Sequence, residues 1–267
     1  MLGPLTDARG VTVQLDAPPR RIVSLVPSTT ETLFALGLGQ RVVGVTRFCV
    51  RPEGVLDGID KVGGTKDVIP ERVAALEPDL ILGNCEENSR EIFAALDGVA
   101  PLWAPLPKDV DTALQDLLHV GTLCGVQAAA QDLHDRIQQA RAHAREAAAR
   151  RGPVRYAWLI WRRPYMVCGG DTFTSALLSE LGGVNVFAAS EARFPEVTPA
   201  DLRAADPDRI LLSSEPFPFK DKHAVELAEG TGLPRARCAF VDGQLGTWHG
   251  VRLLDAFARW TELLPAG

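Results

Sequence analysis

The residues best placed to do chemistry are Glu86-Glu87-Asn88, two carboxylates and an amide that follow the apolar segment Leu80-Ile81-Leu82-Gly83. That segment reads as a strand, and open α/β sheets bind ligands at the carboxyl ends of their strands, so these side chains are set to hydrogen-bond a ligand. They would equally serve the fold, with Asn88-Ser89 capping the next helix and the glutamates favouring its positive end. Phe48, Trp161, Tyr165, Phe217, Phe219 and Trp248 fall after strands or in loops of a chain with only 6% aromatic content, so as a group they favour a ligand-lining rim. Each such ring buries about 150–250 Å² and can stack on a large flat ligand. Arg162, Arg163 and Arg252 would pair with an anionic group if they face the same rim.

An enzyme should leave a reactive constellation, and the chain has no GxSxG elbow, GxGxxG turn or P-loop. Gly63-Gly64-Thr65-Lys66 sets a lysine beside glycines without the spacing that wraps a phosphate, and it reads as a turn. His119, His134, His143, His223 and His249 form neither HxH nor HxxxH, so a multi-histidine metal site is not expected. Cys49, Cys85, Cys124, Cys168 and Cys238 include no CxxC pair and read as buried thiols. The expectation is a protein without catalytic residues, metal site or catalytic cofactor.

The elements that would position these groups alternate. Residues 21–27 read as a strand, Ser28-Thr29-Thr30-Glu31 as a capping box opening a helix over 32–38, and 42–46 as the next strand. A helix over 70–76, a Pro78-Asp79 turn, and strands over 80–83 and 101–104 follow. From residue 109 the texture turns helical, and 127–151, rich in Ala, Gln, Arg and Glu without Gly or Pro, reads as one helix of nearly 40 Å at about 1.5 Å per residue. Beyond Gly152-Pro153 the alternation restarts: strand 154–161, helix 172–181, helix 199–205, strand 209–213. Pro70, Pro78, Asp79, Ile81 and Leu82 recur at a constant offset as Pro199, Pro207, Asp208, Ile210 and Leu211. The pattern predicts an α/β fold of two lobes facing each other across a cleft, each a mostly parallel sheet flanked by helices, joined by a single long helix. The expected boundaries are 1–122, 123–152 for the connecting helix, and 153–267. A net charge of −6 without a Lys/Arg run excludes a nucleic-acid partner. Residues 1–20 carry no basic start followed by an apolar stretch, so no export signal is visible, and there is no membrane-spanning run.

At this point the chain resembles the helical-backbone class of ABC-transporter substrate-binding proteins, which carry cobalamin, haem and ferric siderophores. The residues that carry the resemblance are Arg21-Ile22-Val23-Ser24-Leu25-Val26-Pro27-Ser28-Thr29-Thr30-Glu31, Leu76-Glu77-Pro78-Asp79-Leu80-Ile81, the long helix and the C-terminal lobe. Within the class it looks similar to the vitamin B12-binding branch. The resemblance implies a monomer that captures a metal chelate without covalent chemistry, at the periplasmic or cell surface, and delivers it to a membrane permease. It also implies ligand contacts from Phe48, Trp103, Trp161 and the segment 242–252, with Asp242, Trp248, His249 and Arg252. Permease docking would fall to Glu71 on one lobe and, since Ala200 holds the second expected position, to the neighbouring Asp201 on the other. Segments 84–88, 161–165 and 214–219 depart from the vitamin-binding pattern and leave a ferric chelate or haem open as the ligand. A cytoplasmic metallocofactor-handling protein or enzyme on the same fold is the remaining alternative.

Overall fold

The computed structural model of the protein describes residues 1–266. The chain forms two compact units. The first contains Met1–Pro107, Asp111–Arg136 and the short return His249–Arg252; the second contains Lys108–Val110, Ile137–Trp248 and the chain from Leu253 onward.

The first unit opens on a hairpin, β1 (Leu2–Thr6) with β2 (Thr12–Leu15). Its turn is built on Asp7, whose buried carboxylate accepts the backbone N–H groups of Arg9, Val11 and Ala104. Then come β3 (Ile22–Ser24), α1 (Pro27–Ala35), β4 (Val42–Val45), β5 (Asp60–Lys61), α2 (Pro70–Ala75), β6 (Leu80–Leu82), α3 (Arg90–Ala95), β7 (Leu102–Trp103) and α4 (Val110–Leu123). The strands form a parallel sheet in the order β5-β4-β3-β6-β7. β3 and β6 are buried at every position, as strands covered by helices on both faces must be. α5 (Gln127–Arg151) runs unbroken from the first unit into the second.

The second unit has β8 (Val154–Trp161), β9 (Tyr165–Val167), α6 (Phe173–Glu180), β10 (Gly183–Asn185), β11 (Glu196–Val197), α7 (Pro199–Ala205), β12 (Arg209–Ser213), α8 (Asp221–Thr231), β13 (Cys238–Val241), α9 (Gly243–Thr247), α10 (Arg252–Ala258) and α11 (Trp260–Leu263). The sheet order is β11-β9-β8-β12-β13, with β10 also paired to β8. β10, β8, β12 and β13 are parallel, while β9 and β11 are antiparallel. The class is α/β, two units each on a mostly parallel sheet flanked by helices.

The internal repeat has a physical cause. Asp79 accepts the backbone N–H of Arg20 at 2.8 Å and of Arg21 at 2.9 Å, fixing the entry to β3, and Asp208 accepts that of Arg155 at 2.8 Å at the entry to β8. In return the Arg21 side chain donates to the carbonyls of Leu76 and Glu77 at the end of α2, and Arg155 donates to that of Ala205 at the end of α7. Each helix is followed by a left-handed residue that turns the chain out of it, Glu77 at φ 45° behind the cap Leu76 of α2 and Asp206 at φ 44° as the cap of α7.

The first helix corrects one expectation. Ser28-Thr29-Thr30-Glu31 is not a capping box, because α1 already starts at Pro27, behind Val26, with no side-chain cap. Pro at the first helical position lacks only an N–H that would have had no partner there. The hydroxyls instead turn inward: Thr30 Oγ1 donates to the Val26 carbonyl at 3.0 Å and lies 2.8 Å from Ser24 Oγ, and Thr32 Oγ1 donates to the Ser28 carbonyl.

Candidate functional site

In the first unit the loops at the carboxyl edge of the sheet follow β4 and β6. The loop after β4 carries Phe48, 49% exposed although a large ring, with the Arg47 guanidinium 4.8 Å over its face. Arg47 is held by a two-pronged ion pair to Asp67, at 2.8 and 3.0 Å.

The loop after β6 is organised by Asn84, 3% exposed. Its side-chain oxygen accepts the backbone N–H of Glu86 at 2.7 Å, its own N–H donates to Asn88 Oδ1 at 2.9 Å, and Asn88 in turn donates to the Thr65 carbonyl. Ser89 caps α3, as the fold-serving alternative for this segment anticipated. Lys66 Nζ donates to the Glu86 carbonyl. Burial pushes the Glu87 carboxyl above the usual range, against the pull of Lys66.

The return segment 249–252 supplies the other polar groups of this unit. The side chain of Arg252 forms a buried ion pair with Glu31 on α1, its Nε donating at 3.0 Å. Gly250, at φ 74°, passes so close to α1 that a Cβ there would collide with Thr32 Oγ1, and the N–H of Val251 donates to that same hydroxyl at 3.1 Å. His249 Nε2 lies 3.3 Å from Asn84 Nδ2, and burial pushes its imidazole down to about 4.

In the second unit the corresponding loops follow β8, β12 and β13. Trp161 ends β8 and is 41% exposed, edge-on to Phe217 at 5.8 Å; Phe217 meets Phe219 at 4.8 Å and His223 at 5.1 Å. Arg162 pairs with Glu226, and Tyr165 packs half-buried against the same core. Asp242 caps α9, accepting the N–H of Gln244 at 3.0 Å. The Trp248 indole N–H donates to Glu215 at 2.8 Å.

The structure thus gathers Phe48, Glu86 and Glu87 at the carboxyl edge of the first sheet, and Trp161, Arg162, Tyr165, Phe217 and Asp242 at that of the second. It does not leave all candidate side chains open. Trp103 is 2% exposed and gives its indole N–H to Asp116 on α4 at 2.7 Å, while Trp248, His249 and Arg252 are each 8% exposed. Sequence reading missed Asn84, Asp67 and Glu226, which orient the candidates without having the residue type or spacing of a motif. Two cavities of the first unit, of about 310 and 180 Å³, lie along the hairpin and include no candidate ligand residue except Trp103. Among the described residues no cluster of His, Cys, Asp or Glu is arranged to hold a metal ion, and no helix is long and apolar enough to cross a membrane.

Comparison with known proteins agrees with this architecture. The family model described as periplasmic binding protein matches residues 22–229. A vitamin B12-binding protein of Yersinia pestis (strain Pestoides F) is 31% identical over 200 residues, 72% of this chain and 69% of that protein. Among solved structures, the periplasmic heme-binding protein RhuT from Roseiflexus sp. RS-1 superposes with a TM-score of 0.82 at 25% identity, over 91% of this chain and 97% of that one. The periplasmic vitamin B12 binding protein BtuF of Vibrio cholerae gives 0.79 at 24% identity, over 92% and 97%, a likeness of fold.

Proposed function

We propose that this chain, which belongs to the periplasmic binding protein family, captures cobalamin or a related corrinoid outside the cytoplasm and delivers it to the permease of an ABC importer, without covalent chemistry. The observation that carries the choice of ligand is the charge pairing of the candidate arginines. Of the three candidates, Arg162 and Arg252 are matched by carboxylates of their own unit, Glu226 and Glu31, as Arg47 beside Phe48 is by Asp67, and Arg163 alone stays exposed in the loop after β8. An anionic chelate would have to compete with those carboxylates for the guanidinium groups, whereas a corrinoid with neutral amide side chains asks for flat apolar faces and hydrogen-bond acceptors. Phe48 and Trp161 offer exposed rings, and Glu86 and Glu87 offer acceptors.

Calorimetric titration with cyanocobalamin and, separately, haemin is the test. One-to-one binding of cyanocobalamin with quenching of tryptophan fluorescence is expected; binding of haemin alone would replace the corrinoid by a porphyrin. Phe48→Ala and Trp161→Ala should each weaken cyanocobalamin binding about tenfold, the worth of one stacked ring. Wild-type affinity in both variants would remove the aromatic basis of the reading.

Docking to the permease is proposed for Glu71, exposed in the first turn of α2, with Asp201 as its counterpart on α7. Asp201 also closes a capping box with Thr198, so a substitution there disturbs the helix as well as the charge. Glu71→Arg is the cleaner probe. It should leave ligand affinity unchanged and reduce uptake through reconstituted permease, because a reversed rim charge opposes association. Equal loss of both would assign Glu71 to the ligand site or the fold.

A further inference from the structure

The acidic loop after β6 is supported from outside its own sheet. Its pivot, Asn84, has a fixed amide orientation, because the Glu86 N–H at 2.7 Å requires the oxygen on that side. The amide nitrogen must therefore face His249 Nε2, 3.3 Å away, and must donate to it. Nε2 can accept only while the imidazole is neutral, with its proton on Nδ1. Burial secures that state, holding the imidazole down to about 4.

His249 itself is anchored by the residues that follow it. Gly250 sits against Thr32, and Arg252 is paired with Glu31. At 8% exposure the imidazole has little surface to offer a ligand.

We infer that His249 is a positioning residue: by accepting from Asn84 it locks the amide that ties down the Glu86 N–H, and so presents the Glu86-Glu87 pair in one conformation. This rests on the ligand-capture reading above, in which that pair supplies acceptors to the ligand. A flexible carboxylate pair must be ordered on binding, whereas a prearranged one is not, so the lock strengthens capture without contacting the ligand.

The test compares His249→Phe, which keeps a ring but no acceptor, with His249→Gln, whose amide oxygen reaches the place of Nε2. Amide hydrogen exchange is read at Glu86, with β6 amides reporting whether the unit remains folded. In His249→Phe the Glu86 amide should exchange about tenfold faster, in keeping with the loss of one buried hydrogen bond, with β6 unchanged. Cyanocobalamin affinity should fall with it, and His249→Gln should restore both.

Wild-type exchange at Glu86 in a folded His249→Phe protein would overturn the inference, as would a Gln variant as impaired as the Phe variant. Should His249→Phe not fold, His249→Leu removes the same acceptor with a smaller side chain, leaves the Asn84 oxygen in place, and must give the same local exchange gain with β6 unchanged; wild-type exchange there would also overturn it. If the wild-type protein binds no cyanocobalamin, the ligand reading fails while the exchange comparison still decides the role of His249.

Discussion

Replacing Arg252 by Ala should destabilise the protein by about 3–5 kcal/mol, the cost of leaving one member of a buried ion pair alone. The Arg252 and Glu31 side chains are 9% and 15% exposed, so little water is available to solvate the carboxylate once the guanidinium is gone. The pair also holds a segment distant in sequence against α1, where Val251 and Gly250 meet Thr32. Urea unfolding of the single variants Arg252→Ala and Glu31→Ala and of the double variant separates these contributions. The double variant should lose less than the sum of the singles, because no uncompensated charge remains. A loss below about 1 kcal/mol in Arg252→Ala would mean that the carboxylate finds other solvation and that the pair is dispensable.

Stability should also depend on pH through Asp116. Its carboxyl is buried on α4 and pushed up to about 7 by desolvation, against the opposing pull of the Trp103 indole N–H. The folded state therefore holds a proton that the unfolded chain, with an ordinary carboxyl, releases near pH 4. Stability from this group is fully present below that pH and declines as pH rises towards 7, by about 4 kcal/mol over the whole interval.

His249 acts in the opposite sense. Its imidazole is held down to about 4, so stability is lost as pH falls from about 6.5 towards that value. The two slopes partly cancel in the wild-type protein, and only a difference between variants isolates either. Asp116→Asn keeps an oxygen for the Trp103 N–H and removes the titration. It should be more stable than wild type at pH 8, by an amount that shrinks as the pH is lowered to 5. A pH-independent difference between the two proteins in urea unfolding would show that Asp116 does not titrate in this range. The same titration read by Trp103 fluorescence should follow the Asp116 carboxyl, since the indole N–H is bonded to it.

What the sequence determined by itself is the local framework. Residues 127–151 form a helix with the expected ends because 25 residues without Gly or Pro leave few backbone alternatives. β8, α7 and β12 likewise run over the residues read from their apolar runs and Pro signals. The Pro-Asp repeat was legible as a recurring pattern, while the bonds it serves are distant in sequence: Asp79 receives the N–H groups of Arg20 and Arg21 just before β3, and Asp208 that of Arg155 in β8. The first helix was misread at its start, since a Ser-Thr-Thr-Glu pattern has the same local appearance whether its hydroxyls cap a terminus or back-bond within a turn.

The candidate site was legible only as residue types near strand ends. Which side chains stay open was decided by partners far away in sequence, and no periodicity encodes such pairings. Phe48 and Trp161 remain exposed, whereas Trp103 is turned inward by the acceptor Asp116 and Trp248 by Glu215. Tertiary structure alone returned residues 249–252 to the first unit, setting His249 on Asn84, 165 positions away, and Arg252 on Glu31. The physical reason is that a buried charge or amide is stable only with its complement, and the chain supplied that complement from a segment whose local sequence shows no mark of it.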